Sequence, residues 1–522
     1  AYVIPDRLNR AQMARKRMIP FQGEAVDEWN HNAVEAHRQG FTAVGPTRPE
    51  GAPAPSIAVL DSQLEWFDPT QSPNRSNSPI YNDASGSTRI VDSVRAANIG
   101  ASTTLQAFRN NFQNSIYNST TNFPSQHGNG ITHAAAARAP QPNDPVPAPG
   151  TGQAPNASIV SIDIIEDWTQ IQANFGCTVT NSARYSSTIA ITDACQFLAT
   201  NAALYNTLSA VCAFGGCGNP WSPEQQAMDS LVLNADIVMC VPSGNYFEDG
   251  ASLLGAWPTS GETDNVNFLT GRNATAWDSM YGANSIVVGA AHHGSKIVPT
   301  WSGAGPLTPT RSSQSSSPMS AQYGSTYCAG FVPDNYFAVP NITHDFSRSY
   351  PDIVAIGAGI TIQERFWNGN SVQEVQRSVD GSSVSCAQVA GAALLYRAGL
   401  DNANPQPIPS ALATRAVLLA ASEDVAAAQP QYPAGSPTGE DLHGAGFLRT
   451  DHALLGDADV RTGSLPTGLG QVFSFPVDAD STYGIALTWN RTVFNMAPPN
   501  VWPSTTAPQP NGLPWVNFDM QV

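Results

Sequence analysis

The chain has 522 residues and carries 41 acidic against 24 basic side chains, a net charge of −17. So much negative charge removes the electrostatic basis for binding nucleic acid or an anionic membrane surface, and a 41% hydrophobic share with only 12% charged residues excludes wholesale disorder. No apolar run approaches the roughly 18 to 20 residues of a membrane-spanning helix, and 42 Gly with 41 Pro point to a loop-rich enzyme rather than a helical bundle.

Residues 1–55 are mixed, with an amphipathic helix predicted over 25–39. Residues 56–60 (Ser-Ile-Ala-Val-Leu) form a continuous apolar run, as expected of a central parallel strand covered on both faces. Residues 131–139 are Ala-rich and predict a helix, and 139–156 is a Pro-rich loop. Strands are predicted at 159–165, 235–241, 285–291 and 352–356, with helices at 224–233 and 384–397 and a low-complexity loop at 305–320. Strands alternating with helices over this length imply an α/β sandwich with a mostly parallel sheet. After about residue 455 the texture changes. Residues 471–476, 483–488 and 517–522 read as short half-buried strands around a Pro-rich stretch, which makes a small all-β unit.

Seven cysteines occur with no CxxC pair, so no zinc-site spacing is present. Cys212 and Cys217 enclose two glycines and are one candidate disulfide; Cys177 with Cys195 is another. The odd count leaves at least one thiol over.

Four residues stand where chemistry is done. Asp61 directly follows the apolar run 57–60, at the carboxyl edge of a predicted central strand, where α/β enzymes build their sites. His127 opens the Ala-rich helix in Gln126-His127-Gly128-Asn129-Gly130. The positive end of the helix dipole favours a neutral imidazole there, the form a general base needs. Ser383 sits at the first turn of the helix Val384-Ser385-Cys386-Ala387-Gln388-Val389-Ala390-Gly391. Backbone N–H groups at that turn can face a developing oxyanion. Asn245 ends the strand-turn Val238-Met239-Cys240-Val241-Pro242-Ser243-Gly244-Asn245, and its amide can reach the same cleft. Each taken alone also reads as an ordinary cap, turn or surface residue. The four together, in this order, carry the argument.

In that order the segments resemble the motifs of the subtilisin-like serine proteases. Ile57-Ala58-Val59-Leu60-Asp61-Ser62 is similar to the family's strand-Asp motif, and His127-Gly128 with its Ala-rich helix to the His motif. Val238 to Asn245 resembles the strand ending in Gly-Asn, and Gly381-Ser382-Ser383 to Gly391 the serine motif. The order Asp, His, Ser is that of subtilisin and not of chymotrypsin or the α/β-hydrolases. His443-Gly444-Ala445-Gly446 is similar to the segment that closes the catalytic domain. Residues 471–522 are similar to the jelly-roll domain of a large-subtilase branch.

The resemblance implies a three-layer sandwich over 1–455, with 1–50 as an N-terminal extension and 456–522 as a partial β-sandwich. It implies a serine endopeptidase acting on polypeptides, with Asp61, His127 and Ser383 as the triad and Asn245 in the oxyanion hole. Ser182, Ala183 and Arg184, with Val241, Pro242, Ser243 and Gly244, would line the substrate strand and S1 pocket, and Arg184 would bias the cleft toward acidic side chains. No cofactor is required for such chemistry. Calcium commonly stabilises the family, and no ligands are assigned here. The jelly-roll match stops short of the expected strands, so either the chain is cut there or another polypeptide completes the sheet. Secretion, extracellular or periplasmic, is expected from composition and the resemblance, since no signal-peptide pattern opens the sequence.

The departures are Gln63 for a Gly, Gly130 for the motif's second His, and Ala387-Gln388 for the Pro and its neighbour. None removes a catalytic group. Cys386, one turn past Ser383, would confer sensitivity to bulky thiol reagents if free. Two alternatives share the fold: an inactive scaffold or adhesion protein, and a peptide ligase using the same acyl-enzyme.

Overall fold

The computed structural model describes residues 8–11, 33–39, 41–43, 54–62, 64, 81–83, 86–95, 127–138, 151–164, 185–215, 223–245, 284–292, 295–299, 301–303, 351–367, 372–403, 408–423, 425, 440–455, 460 and 485–488. In chain order the strands are β1 (Leu8–Ala11), β2 (Ser56–Asp61), β3 (Ile90–Arg95), β4 (Ser158–Asp163), β5 (Tyr185–Ser187), β6 (Thr207–Cys212), β7 (Phe214–Gly215), β8 (Val238–Pro242), β9 (Ile286–His292), β10 (Ile353–Ala358), β11 (Ile360–Trp367) and β12 (Val372–Val379). The helices are α1 (Ala33–Arg38), α2 (His127–Ala136), α3 (Thr188–Tyr205), α4 (Pro223–Ala235), α5 (Ser382–Ala403), α6 (Ala411–Ala420), α7 (Glu440–His443) and α8 (Thr450–Leu455).

The centre is a seven-stranded sheet in the order β10-β9-β8-β6-β2-β4-β3, with every neighbouring pair parallel. All six residues of β2 are buried, as the uninterrupted apolar run requires of a strand covered on both faces. Two helix pairs cover the sheet. α2 packs on α5, α3 packs on α4, and members of both pairs reach β2 and β6. This is an α/β layered sandwich. β11 and β12 form a separate antiparallel hairpin that leads into α5. β1 is the middle strand of a small antiparallel sheet between β5 and β7.

Close approach between α2 and α5 depends on small residues. A Cβ on Gly391 would stand 2.6 Å from the Ala135 carbonyl oxygen. All ten residues of α2 are buried, which its Gly and Ala content permits. The last turn of α2 is held by Arg89, whose guanidinium donates to the carbonyls of Ala136 and Ala157 at 2.6 Å each. Burial pushes the pKa of Arg89 down to about 9.

The structure corrects several expectations. α2 begins at His127, the residue read as opening the Ala-rich helix, and ends at Ala136, short of the predicted residue 139. α4 runs to Ala235, so β8 starts only at Val238. β3, β6 and α3 were not predicted. In β6, Thr207 and Ser209 interrupt the apolar pattern, yet both are satisfied inside: Thr207 Oγ1 meets Ser56 Oγ at 2.9 Å, and Ser209 Oγ donates to the Ala390 carbonyl at 2.8 Å. The helix expected at 25–39 is seen from Ala33 to Arg38, and its earlier residues lie outside the described ones. So do the loops at 139–150 and 305–320 and the strands expected at 471–476 and 517–522. Residues 485–488 are described and are not in a strand; Thr488 Oγ1 donates to the Leu412 carbonyl at 3.1 Å. Among the described residues no helix is long and apolar enough to cross a membrane.

Candidate active site

Three parallel strands, β2, β6 and β8, end side by side, and the residues at or just past their carboxyl ends meet the first turns of α2 and α5. The crevice at such strand ends is where open α/β sheets bind ligands.

Asp61 is the last residue of β2 and is fully buried. Its Oδ1 accepts the Ser62 N–H at 2.6 Å. His127 Nδ1 lies 2.7 Å from Asp61 Oδ1 and 2.8 Å from Oδ2. An ionised carboxylate only accepts, so Nδ1 carries the proton and Nε2, which is buried, is left as the ring's acceptor nitrogen. Ser62 also ties down the backbone beneath the ring: its Oγ accepts the Gly128 N–H at 2.8 Å. The fit there is tight, since a Cβ on Gly128 would stand 2.1 Å from the Ser62 carbonyl oxygen. Phe214 meets the imidazole edge-on, with ring centroids 5.4 Å apart.

Ser383 lies in the first turn of α5 and is fully buried. Its hydroxyl donates to the Ala213 carbonyl at 3.1 Å. Consecutive residues of one chain segment, Ala213 and Phe214, therefore touch Ser383 and His127 respectively.

Asn245, just past β8, is oriented by Ser382. The Ser382 N–H and hydroxyl both donate to Asn245 Oδ1, at 2.7 and 2.8 Å. With the amide oxygen engaged, Nδ2 is left buried with no hydrogen-bond partner among the described residues. Val241, Pro242, Ser243 and Gly244 are buried at the end of β8, and Gly244 N–H donates to Ser382 Oγ at 3.1 Å. Ser182, Ala183 and Arg184 lie outside the described residues.

The cysteine expectations need correction. Cys195, Cys212, Cys240 and Cys386 are free and buried, so neither Cys212 with Cys217 nor Cys177 with Cys195 closes a disulfide. Cys212 ends a central strand with no exposed surface, and burial pushes its thiol up to about 12. Cys386 is fully buried too, and desolvation holds its thiol well above the ordinary range, against the expected reactivity. Among the described residues no group of three or more His, Cys, Asp or Glu is arranged to hold a metal ion, so no calcium site is assigned to them.

A family model described as the subtilase family matches residues 53–446, most of the chain. The chain belongs to the subtilase family. No curated protein sequence gives a significant match. Membership assigns this subtilase to the serine peptidases in general.

Sequence reasoning missed four residues of this subtilase's site. Ser62 and Ser382 each stand next to a residue that was singled out, and adjacency was the available signal. Ala213 acts through a backbone carbonyl, which leaves no signature in residue type. Phe214 follows β6, the strand whose polar residues concealed it.

Proposed function

We propose that this subtilase is a secreted serine endopeptidase that cuts polypeptides through an acyl-enzyme on Ser383. The observation that carries the reading is the Asn245 amide. A buried donor without a partner costs about 1–3 kcal/mol, and here Ser382 aims it beside the nucleophile's helix. An inert scaffold has no use for that cost; an oxyanion hole does.

The mechanism requires the Ser383 hydroxyl, which donates to the Ala213 carbonyl at 3.1 Å, to leave that partner and turn to His127. The hydroxyl then attacks the scissile carbonyl and gives its proton to His127 Nε2. Asp61 holds the imidazole in the required tautomer and stabilises the imidazolium. The oxyanion is received by Asn245 Nδ2 and the Ser383 N–H. His127 returns the proton to the leaving amine, and water then attacks the acyl-enzyme by the same route in reverse. The segment Val241–Gly244 lies beside Ser382 and is read as a wall of the S1 pocket, with Ser182–Arg184 opposite. Residues 456–522 are read as a partial β-sandwich domain.

Asn245→Ala tests the mechanism. The expected result is a fall of about 10² to 10³ in kcat with KM little changed, because the lost bond forms in the transition state. An unchanged kcat in the folded variant contradicts the assignment.

A further inference from the structure

Residues 81–89 lie outside the motifs that carry the family resemblance, yet they hold both ends of the helix that bears His127. The segment is a narrow hairpin. Arg89 N–H donates to the Tyr81 carbonyl at 2.8 Å, Asn82 and Thr88 form a bridge, and Asp83 N–H donates to the Ser87 carbonyl at 2.7 Å. At the tip, the Asp83 side chain accepts the Ser87 N–H at 2.9 Å and its carbonyl accepts the Gly86 N–H at 3.0 Å. Gly86 takes φ +83°, a conformation glycine enters without a Cβ clash. The hairpin is fixed to the central sheet, because the Arg89 carbonyl accepts the Ile159 N–H of β4 at 2.9 Å.

Tyr81 and Arg89 therefore face each other across the base of the hairpin, and both are buried. The Tyr81 hydroxyl donates to the Asn129 carbonyl in the first turn of α2 at 3.0 Å and stands 3.4 Å from Asn129 Oδ1. Arg89 holds the last turn through the Ala136 carbonyl at 2.6 Å, and the same guanidinium reaches the Ala157 carbonyl just before β4 at 2.6 Å. The two anchored carbonyls are seven residues apart, about 10 Å along the axis. α2 also meets β2 through Gly128 and α5 beside Gly391. His127 is the first residue of α2, where helices fray. Asp61 pins only Nδ1, so movement of that first turn carries Nε2 away from Ser383. Apolar side chains would fill this space as well; buried donors aimed at backbone carbonyls specify one position.

We propose that Tyr81 and Arg89 are positioning residues for His127, which hold α2 at both ends so that the imidazole keeps the place the reaction needs. The catalytic part rests on the reading of Asp61, His127 and Ser383 as a triad; the anchoring of the ring against Asp61 can be measured without it.

The test is Tyr81→Phe, which keeps the buried ring and removes only the donor. A misplacement of about 1 Å costs on the order of 10²-fold in rate, and a loosened first turn is expected to cost about tenfold. On dye-labelled casein, kcat is expected to fall by that factor with KM unchanged. Arg89→Lys, which replaces a fork spanning two carbonyls by a single ammonium, is expected to act in the same direction; if it does not fold, Tyr81→Phe alone decides. Glu423→Gln, which breaks ion pairs to Lys296 and Arg449, controls for stability. At a temperature where all are folded it is expected to keep the parent kcat, and an equal fall in this control overturns the proposal. The second readout is the proton NMR resonance of His127 Nδ1–H in the Ser383→Ala protein with isotope-labelled histidine. It is expected to exchange with water faster when Tyr81→Phe is added. An unchanged resonance, or an unchanged kcat in an enzyme that labels with fluorophosphonate, overturns the proposal. If Ser383 proves inert, the catalytic reading fails, while the resonance still decides whether the hairpin positions His127.

Discussion

Ser382 decides which end of the Asn245 amide is left for the proposed oxyanion hole. Two donors from one residue hold Oδ1, so the amide cannot flip without breaking both. The placement of Asp61, His127, Asn245 and Ser383 at strand ends and helix starts was legible because each stands within a recognisable motif. The residues that hold them were less legible, because a supporting serine looks like any other serine in a chain rich in them. Cys386 shows the limit from the other side: its position beside Ser383 suggested reactivity, and only burial reveals an inert thiol. Iodoacetamide at pH 8 is expected to leave Cys386 unmodified in the folded protein and to alkylate it after denaturation, as read by peptide mass spectrometry. Labelling at the same rate in both states contradicts the buried placement.

At the scale of elements, the proposed catalytic geometry depends on how closely two helices approach. α2 carries His127 and α5 carries Ser383, and they meet where Gly391 faces the Ala135 carbonyl. Gly391→Ala puts a carbon 2.6 Å from that oxygen, so one helix must shift. A loss of about 1–3 kcal/mol is expected from such overpacking, seen as a lower Tm by circular dichroism, with kcat falling more than the change in KM explains. An unaltered Tm and kcat would show that the contact is loose. The apolar runs of β2, β8, β9 and β10 announced themselves, because fully covered parallel strands leave no room for polar residues. β6 did not, because its Thr and Ser find buried partners that no local pattern foretells.

At the scale of the whole molecule, a small ion-pair network links the segments that carry Lys296, Glu423 and Arg449. Glu423 meets Lys296 and Arg449 at 2.6 Å each, and Arg449 also meets Asp451 at 2.8 Å. For Glu423, burial pushes the carboxyl up, but hydrogen bonds from Lys296 and Arg449 outweigh it and hold the group below its ordinary range. For Asp451, desolvation is likewise overcome by Arg449. Groups depressed on folding stabilise the protein fully above their unfolded values, near pH 4, and that contribution is lost as pH falls through the lower folded values. The Tm of Glu423→Gln is therefore expected to fall less than that of the parent between pH 5 and pH 2; an equal fall would remove this network from the acid response. At this scale the alternation of elements announced an α/β sandwich, while the strand order, and the insertion of β1 between β5 and β7, depend on partners about 175 to 205 positions away that no window of sequence contains.

The central claim is that Ser383 is an activated nucleophile, and labelling with a fluorophosphonate probe tests it most directly. The parent chain is compared with Ser383→Ala from mildly acidic to alkaline pH. The account predicts covalent labelling that maps to the peptide containing Ser383 and disappears in the alanine variant. Absence of labelling in the folded parent protein across that range would contradict it and leave an inactive member of the family.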